Sequence, residues 1–519
     1  MKNFKLIFSV LLIAIFFNSC SKDSPEENPE PATNAIKVSI STATNIVVEP
    51  SLNGAFTVTL SEGISKATKV SYTVSGTATN GEDFETISNS LTIPANTLSS
   101  VIAINVLDDN ISEDNETIII TLTSTDNANV VLNSSKTATI TISSNAESFS
   151  LNPEDTSTYM VNPNATPETI ALFYNLKNVS RTNFIIGQQD AFNSFYNNNV
   201  GDSDIKKTTG NDPGLLGSDF MFIADDNNDG TASNWWYQQE QKIKADAIEA
   251  YNKGMVNVFM WHLREPYEGE HFYTSDMTVF QKNNAFKSIL PGGDNHEYYK
   301  EKLQIVADVA NNLVGNDGKL IPFIFRPFHE FDGDWFWWGA SYCTPQEYIT
   351  LWQFTVEYLR DTLNVNNMLF AFSPDRNFNS ESEYLNRYPG DNYVDILGMD
   401  NYGDLNNMGQ SGIDTANEKL QIIDKLAKEK VKIAAFTETG YFVTPGQNNP
   451  ISGFYANNLY QVITNNSIEI AFMMFWNNTE DTYVTPVPGM SSASDFIGFT
   501  NKPKSLLQNE LPNMYVLPN

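Results

Sequence analysis

Eight short apolar runs, separated by segments with helical spacing, constrain the fold of the C-terminal part of this 519-residue chain. Continuous apolar runs of this length are typical of parallel strands that are buried on both faces. The runs cover residues 184–187, 215–223, 256–261, 320–325, 367–372, 394–399, 432–436 and 468–475. Helical patterns lie between them at 238–253, 298–313, 345–363 and 415–429. Eight strands that alternate with helices predict an α/β fold, a (β/α)8 barrel over residues 150–519.

The fourth run leads directly into a stretch that combines charge with aromatic rings. Arg326, Pro327, His329 and Glu330 follow the run, and a second group follows them: Trp335, Trp337 and Trp338. Proline has no amide donor, so we expect strand pairing to stop after Arg326. Catalytic groups of such barrels stand at the C-terminal ends of strands. We therefore predict a site that exposes these side chains to a sugar ring. A buried ion pair between Arg326 and Glu330 is the alternative.

A second glutamate occupies an equivalent place. Glu438 follows the seventh run, and the ends of strands 4 and 7 face each other across the mouth of a barrel. Cleavage of a glycosidic bond with retention needs two carboxyl groups about 5–5.5 Å apart, one acting as acid/base and one as nucleophile. Glu330 and Glu438 are the predicted pair. Aromatic neighbours of Glu330 favour its protonated form by desolvation.

The N-terminal part of the chain has a different period. Between residues 36 and 143, short runs alternate apolar and polar positions, are rich in β-branched residues, and are separated by Gly, Asn, Asp and Ser. This pattern is typical of strands with one buried face. It predicts an all-β sandwich of about 100 residues.

The charge of the chain excludes some partners. Asp and Glu number 62 against 31 Lys and Arg, a net charge of −31. Nucleic acids and anionic membrane surfaces attract basic patches, so neither is an expected partner.

Residues 1–20 have the features of a targeting segment. Lys2 and Lys5 precede an apolar run at 6–17 that is too short to span a bilayer and ends at Cys20. The start resembles a bacterial lipoprotein signal. The resemblance implies a lipidated Cys20. Residues 21–35 are rich in Pro, Glu, Asp, Ser and Asn, which predicts a disordered tether. Within it, Lys22-Asp23 and Glu26-Glu27 resemble the acidic export signals of surface lipoproteins, which implies a place on the outer membrane surface. A plain secretory signal is the alternative.

Only one other cysteine, Cys343, is present, so we predict no disulfide framework.

Several short motifs of the predicted barrel occur together and in order. They are RPFHE at 326–330, GDWFWWG at 333–339 and FTETG at 436–440, with WH at 261–262, DNY at 400–402 and FW at 475–476. Over residues 150–519 the chain resembles glycoside hydrolase family 26, best known for β-mannanases. The resemblance implies that Glu330 is the general acid/base and Glu438 the nucleophile.

The same resemblance implies roles for further residues. Arg326 would support the acid/base pair, His329 would orient the carboxylates or the sugar, and Tyr402 would donate a hydrogen bond to Glu438. The full set of implied substrate-binding residues is His262, His329, Trp335, Asp400, Tyr402 and Trp476. No cofactor or metal is implied.

The implied activity is that of an endo-β-1,4-mannanase, a monomer that acts on mannan, galactomannan or glucomannan and touches the membrane only through its lipid anchor. Two alternatives stay open. One is a related β-glycanase for mixed-linkage β-glucan or β-1,3-xylan, and the other is a surface glycan-binding lipoprotein without catalysis.

Residues 36–143 resemble a Calx-beta domain. The motifs are GTATNGEDF at 76–84, LTIPA at 91–95 and an acidic segment at 108–116. Such domains can bind calcium through clustered carboxylates, but Ser143 and Ser144 stand where an acidic pair is expected. We therefore predict a spacer. In the barrel, the insertion 264–296 has no tight metal-ligand spacing, and we expect it to contact substrate or to be a plain loop.

Overall fold

The computed structural model describes residues 35–42, 46–48, 53–107, 115–143, 151–196 and 202–518. The chain divides into two compact units, Met1–Asn145 and Ala146–Asn519. The predicted signal segment with Cys20, most of the tether, and residues 108–114 of the acidic segment lie outside the described residues. In the described part, no helix has the length and apolar character needed to cross a membrane.

The N-terminal unit consists of two sheets. Their strands are β1 Ile36–Thr42, β2 Ile46–Val48, β3 Gly54–Leu60, β4 Thr68–Gly76, β5 Ser90–Ile93, β6 Ser99–Ile104, β7 Glu116–Thr125, β8 Val130–Leu132 and β9 Thr137–Ser143. The order is β6-β3-β1-β8 in one sheet and β2-β9-β7-β4-β5 in the other. Residues of both sheets, among them Phe56, Val58, Ile118 and Ile140, form one buried cluster. The predicted sandwich is confirmed, and its alternating pattern reflects one buried face per strand.

The second unit is built on parallel strands. They are β10 Phe184–Gln189, β11 Leu215–Asp219, β12 Val256–Trp261, β13 Phe323–Pro327, β14 Met368–Phe372, β15 Ile396–Asp400, β16 Ile433–Thr439 and β17 Phe472–Phe475, with a short β18 Ser505–Leu506 beside β10. Neighbours in this series pair in parallel, and β10 pairs with both β17 and β11. The described strands therefore close into the predicted eight-stranded barrel.

Helices connect and cover these strands. They are α1 Pro167–Ser180, α2 Asp204–Thr209, α3 Trp235–Asn252, α4 Val279–Ile289, α5 His296–Asn312, α6 Pro345–Glu357, α7 Glu381–Tyr384, α8 Gly409–Glu429, α9 Tyr460–Thr464 and α10 Ala493–Thr500. The local sequence determines where several of these helices begin. Thr344 and Glu347 form a capping box at α6, with Pro345 in the first turn. The predicted helix 345–363 ends earlier as an α-helix and continues as a π-helical turn, Tyr358–Thr362.

Two strand ends differ from the expectation. Strand β13 begins at Phe323 and includes Pro327, which stands opposite Trp261 of β12, so the proline does not end the pairing after Arg326. Pro327 is the last residue of the strand, where a missing amide donor removes little of the hydrogen bonding between strands. Glu438 lies inside β16 and not beyond it.

Candidate active site

The C-terminal ends of the barrel strands bring functional side chains together at one edge. Each described strand from β10 to β17 delivers at least one polar or aromatic residue there: Asp190, Asp219, His262, Glu330, Ser373, Asp400, Glu438 and Trp476. The shared direction of parallel strands places these residues around one mouth.

Glu330 is held in an unusual backbone conformation directly after β13. Its φ is 53° and that of Phe328 is 50°, values in the left-handed region that residues with a Cβ seldom adopt. The amide of Glu330 donates to the carbonyl of Ser373 at 2.9 Å. The indole Nε1 of Trp335 donates to Glu330 Oε2 at 2.6 Å. Such strain persists where neighbouring contacts fix it, which is common at active sites.

Glu438 has both of its carboxyl oxygens occupied as acceptors. Arg326 Nη2 donates to Oε2 at 2.5 Å, and Tyr402 Oη donates to Oε1 at 2.8 Å. The charge-assisted bond is of the stronger kind. These contacts orient the glutamate and stabilise a carboxylate, which is the form that attacks an anomeric carbon.

The carboxyl groups lie close together. One oxygen each of Glu330, Asp400 and Glu438 lies within 4.8 Å of the others. Inverting glycosidases separate their two carboxyl groups by roughly 6.5–9.5 Å to leave room for a water molecule, whereas retaining ones need about 5–5.5 Å. The closeness of Glu330 and Glu438 fits a mechanism in which one of the two carboxylates attacks the sugar directly.

The surroundings of Glu330 favour its protonated form. Burial, and next the charges of Asp400 and Glu438, raise the pKa of Glu330 well above its usual range. The hydrogen bond from Trp335 opposes this rise without cancelling it. A carboxyl group with a raised pKa keeps its proton nearer neutral pH and can donate it to a leaving oxygen.

Arg326 contacts Glu438 and not Glu330. Its side chain is fully buried, and its Nη1 donates to Asp400 Oδ2 at 2.5 Å and to Ser373 Oγ at 3.1 Å. Of the two predicted catalytic carboxyl groups, Arg326 therefore contacts Glu438 only, and the alternative Arg326–Glu330 ion pair is not formed. The contacts made by Arg326 run to Glu438 and Asp400 instead.

Asp400 does not reach the cleft. It is fully buried, its Oδ2 accepts from Arg326, and its Oδ1 accepts from Thr437 Oγ1 at 2.7 Å. The prediction that Asp400 holds sugar hydroxyls is therefore wrong. Its carboxylate stabilises the guanidinium that binds Glu438.

His262 lies at the cleft wall and is fixed by an aspartate. Its Nδ1 lies 2.5 Å from Asp219 Oδ2, and Asp219 Oδ1 accepts the backbone amide of His262 at 3.1 Å. The ring centroid lies 6.1 Å from that of Trp476. The bond at Nδ1 leaves the Nε2 edge for other partners. Sequence reasoning missed Asp219, although its place at the end of β11 is the signal that identified Glu330.

The expected exposure of the 326–338 stretch is correct only in part. Trp335 is 36% exposed, but Trp337 and Trp338 are completely buried and donate to the carbonyls of Leu263 and His329. They are core residues that hold the loop.

His329 is also buried. It packs at 4.8 Å against the ring of His262, and burial lowers its pKa well below the usual value. A neutral imidazole beneath His262 positions the cleft wall.

A cavity of about 200 Å³ continues the cleft beside His262 and Trp476. Its polar walls are rich in acceptors: Gln189, Asp190, Asp219, Asp246 and Asn477. Its apolar walls are Phe222, Ile243, Phe272, Tyr273 and Trp476. Burial, with Asp219 and Asp246 nearby, raises the pKa of Asp190 to about 7. Acceptors between aromatic walls suit a ligand that presents hydroxyl donors and apolar ring faces.

The insertion 264–296 contains α4 and is organised by a buried glutamate. Glu265 accepts the backbone amides of Tyr267, Glu268 and Gly269 at 2.8, 3.0 and 3.1 Å. The insertion brings Tyr273 over Phe336, with ring centroids 5.4 Å apart and planes 19° from parallel. Part of this insertion therefore forms the wall of the cleft.

A (β/α)8 barrel with two neighbouring carboxyl groups at its mouth and aromatic residues beside them has the features of a barrel glycoside hydrolase. The chain belongs to glycosyl hydrolase family 26, whose family model matches residues 161–482. Residues 32–146 match the Calx-beta domain model.

The solved structures that are similar to this chain include the following two. GH26C from a Muricauda species is 65% identical, covers 71% of this chain and 98% of its own, and superposes with a TM-score of 0.70. A GH26 β-mannanase from Bacteroides ovatus is 32% identical and covers 68% of this chain and 98% of its own, with a TM-score of 0.60.

Curated relatives carry a common description. The mannan endo-1,4-β-mannosidase of Bifidobacterium adolescentis is 32% identical over 67% of this chain and 35% of its own length. The Bacillus subtilis protein of the same description is 26% identical over 38% of this chain and 52% of its own length. The matches therefore span from about a third to about half of these relatives.

Proposed function

We propose that this protein is a retaining endo-β-1,4-mannanase. The observation that carries the proposal is the pair Glu330 and Glu438, whose carboxyl oxygens lie within 4.8 Å at the mouth of the barrel. The description of the relatives as mannan endo-1,4-β-mannosidases supports mannan as the substrate. The same description of the relatives supports cleavage inside a chain.

The proposed reaction is a double displacement. Glu438 attacks the anomeric carbon while Glu330 protonates the leaving oxygen, so the glycosidic bond breaks and a covalent glycosyl-enzyme forms. Glu330, now a carboxylate, then takes a proton from water. That water attacks the same carbon and releases Glu438, and two inversions leave the anomeric configuration unchanged.

The surrounding residues have distinct proposed roles. Tyr402 and Arg326 hold Glu438 for attack. Trp335 orients Glu330 and presents an exposed ring face beside it. His262 and Trp476 contact the sugar, and His329 acts from behind His262.

A comparison of substrates tests the activity. Purified protein is assayed on galactomannan, glucomannan, lichenan and β-1,3-xylan, and we expect hydrolysis of the first two with oligosaccharide products. Lichenan, a β-glucan, is included because 82 residues of this chain are 35% identical to a protein described as Endoglucanase H. Activity confined to lichenan or β-1,3-xylan would refute mannan as the substrate, and no hydrolysis at all would support the non-catalytic alternative.

The targeting segment supports a proposal about location. Lipidation at Cys20 would anchor the protein at the outer membrane surface, with residues 21–35 as tether, the sandwich 36–143 as spacer and the barrel 150–519 facing polymeric substrate. Each buried methylene of an acyl chain contributes about 0.8 kcal/mol, so several chains anchor stably. Cys20→Ala should release active enzyme from the membrane. Activity free in the medium with Cys20 intact, or shielded from protease added to whole cells, would contradict the surface anchor.

A further inference from the structure

We propose that Trp235 binds a further sugar ring of the glycan chain, one position beyond the cavity beside Trp476. The inference rests on the proposed function, because the ligand is the same β-linked chain. It adds a ring-binding position at the start of α3, outside the catalytic residues.

The cavity between Trp476 and α3 has the chemistry of a sugar site. Gln189 is only 1% exposed, and its Oε1 has no hydrogen-bond partner among the described residues. Asn477 Oδ1 is likewise buried without a partner there. Buried acceptors without a partner are costly, and hydroxyl groups of a ligand would satisfy them. A volume of about 200 Å³ suits one ring next to the reacting sugar.

One face of α3 forms the outer wall of this cavity. Gln239, Lys242 and Asp246 line it, and they recur at helical spacing on one side of the helix. Trp235 precedes Gln239 by four residues and Lys242 by seven, so it lies on the same side. One turn of helix advances about 5.4 Å, comparable with one sugar unit of an extended β-1,4 chain. Trp235 therefore stands about one ring further along the wall.

The position of Trp235 is fixed, and its indole is open to solvent. Phe222, a cavity-lining residue, meets it at right angles, with ring centroids 5.3 Å apart and planes at 89°. Asn234 caps the helix by accepting the amide of Tyr237 at 3.0 Å. Despite these contacts, Trp235 is 49% exposed. An indole held rigidly at the rim of a polyol-binding cavity loses little entropy when a flat sugar face packs on it.

Substrates of different length distinguish an effect at this site from an effect at the catalytic centre. A mannotriose that is being cleaved has at least one ring on the leaving side, so it cannot also reach Trp235. A mannohexaose can fill the reacting position, the cavity and Trp235 at once. Loss of the indole should therefore affect only the longer substrate.

The test measures kcat/KM of wild type and Trp235→Ala on mannotriose and mannohexaose. We expect a loss of about tenfold for mannohexaose, which corresponds to about 1.4 kcal/mol, and little change for mannotriose. Trp235→Tyr should retain most of the activity on mannohexaose. Phe280→Ala is the matched control, because Phe280 is 60% exposed on α4 and does not line the cavity. Unchanged thermal unfolding verifies that the variants are folded.

The outcomes distinguish the two proposals. If wild type cleaves neither oligosaccharide, the proposed function is refuted, and the mannan site at Trp235 falls with it. If wild type cleaves both and Trp235→Ala changes both equally or neither, the site at Trp235 alone is refuted. A selective loss on mannohexaose supports both.

Discussion

At the scale of single residues, Glu330 and Glu438 have different neighbours and should respond differently to removal. Glu438→Ala deletes the attacking group and should all but abolish turnover on every substrate. Glu330→Ala should lower kcat on mannan by about 10²–10⁴-fold, the usual contribution of a general acid, and slow bond cleavage far less for an aryl glycoside whose leaving group needs no proton. Steady-state kinetics on both substrates provide the measurement, and Glu297→Ala, which removes an exposed glutamate of α5, is the control.

The raised pKa of Glu330 predicts the alkaline side of the pH profile. The acid must be protonated in free enzyme, so kcat/KM on mannan should fall as pH rises through that raised pKa. For aryl-glycoside cleavage by Glu330→Ala, this alkaline fall should be absent, because no proton is donated. A fall of the same shape in the variant would assign the ionisation to another group.

The position of Glu330 and Glu438 at the barrel mouth could be predicted from the sequence, whereas the orientation of Asp400 could not. A position just after or near the end of an apolar strand identifies residues at the barrel mouth, and this applied to Glu330 and Glu438. It does not reveal which way a side chain points, because successive residues of a strand face opposite sides. Asp400 ends β15 and points to Arg326, whereas Asp219 ends β11 and contacts His262.

At the scale of elements, the insertion 264–296 depends on Glu265. Glu265→Ala would leave three backbone amides without their acceptor, at a cost of about 1–3 kcal/mol for each one that stays buried. We expect a lower midpoint of thermal unfolding and a lower kcat/KM, since Tyr273 on this insertion lines the cleft. Glu270→Ala in the same segment is the control, because its side chain is exposed. Equal behaviour of the two variants would contradict the role of Glu265.

The existence and order of the elements followed from periodicity, but some of their ends did not. Continuous apolar runs identified all eight barrel strands. Residues 220–223 continue the second run but lie beyond β11, because apolar residues also fill the turn that follows. The burial of Trp337 and Trp338 could not be predicted for a similar reason. An aromatic run has the same sequence pattern whether it packs in the core or faces a ligand.

At the scale of the whole molecule, two changes of sequence pattern identified two units with separate cores. The sandwich is expected to act as a spacer, so deletion of residues 36–143 should change kcat/KM on soluble mannan by less than about twofold. A large loss on soluble mannan would show that the sandwich contributes to substrate binding or catalysis.

The stereochemistry of the first product tests the central claim most directly. Proton NMR follows the anomeric signals during the first minutes of mannan or mannohexaose cleavage, before mutarotation mixes the anomers. The closeness of the Glu330 and Glu438 oxygens, within 4.8 Å, predicts that the new reducing end appears first as the β anomer. Initial appearance of the α anomer would show a single inversion and would contradict Glu438 as the nucleophile.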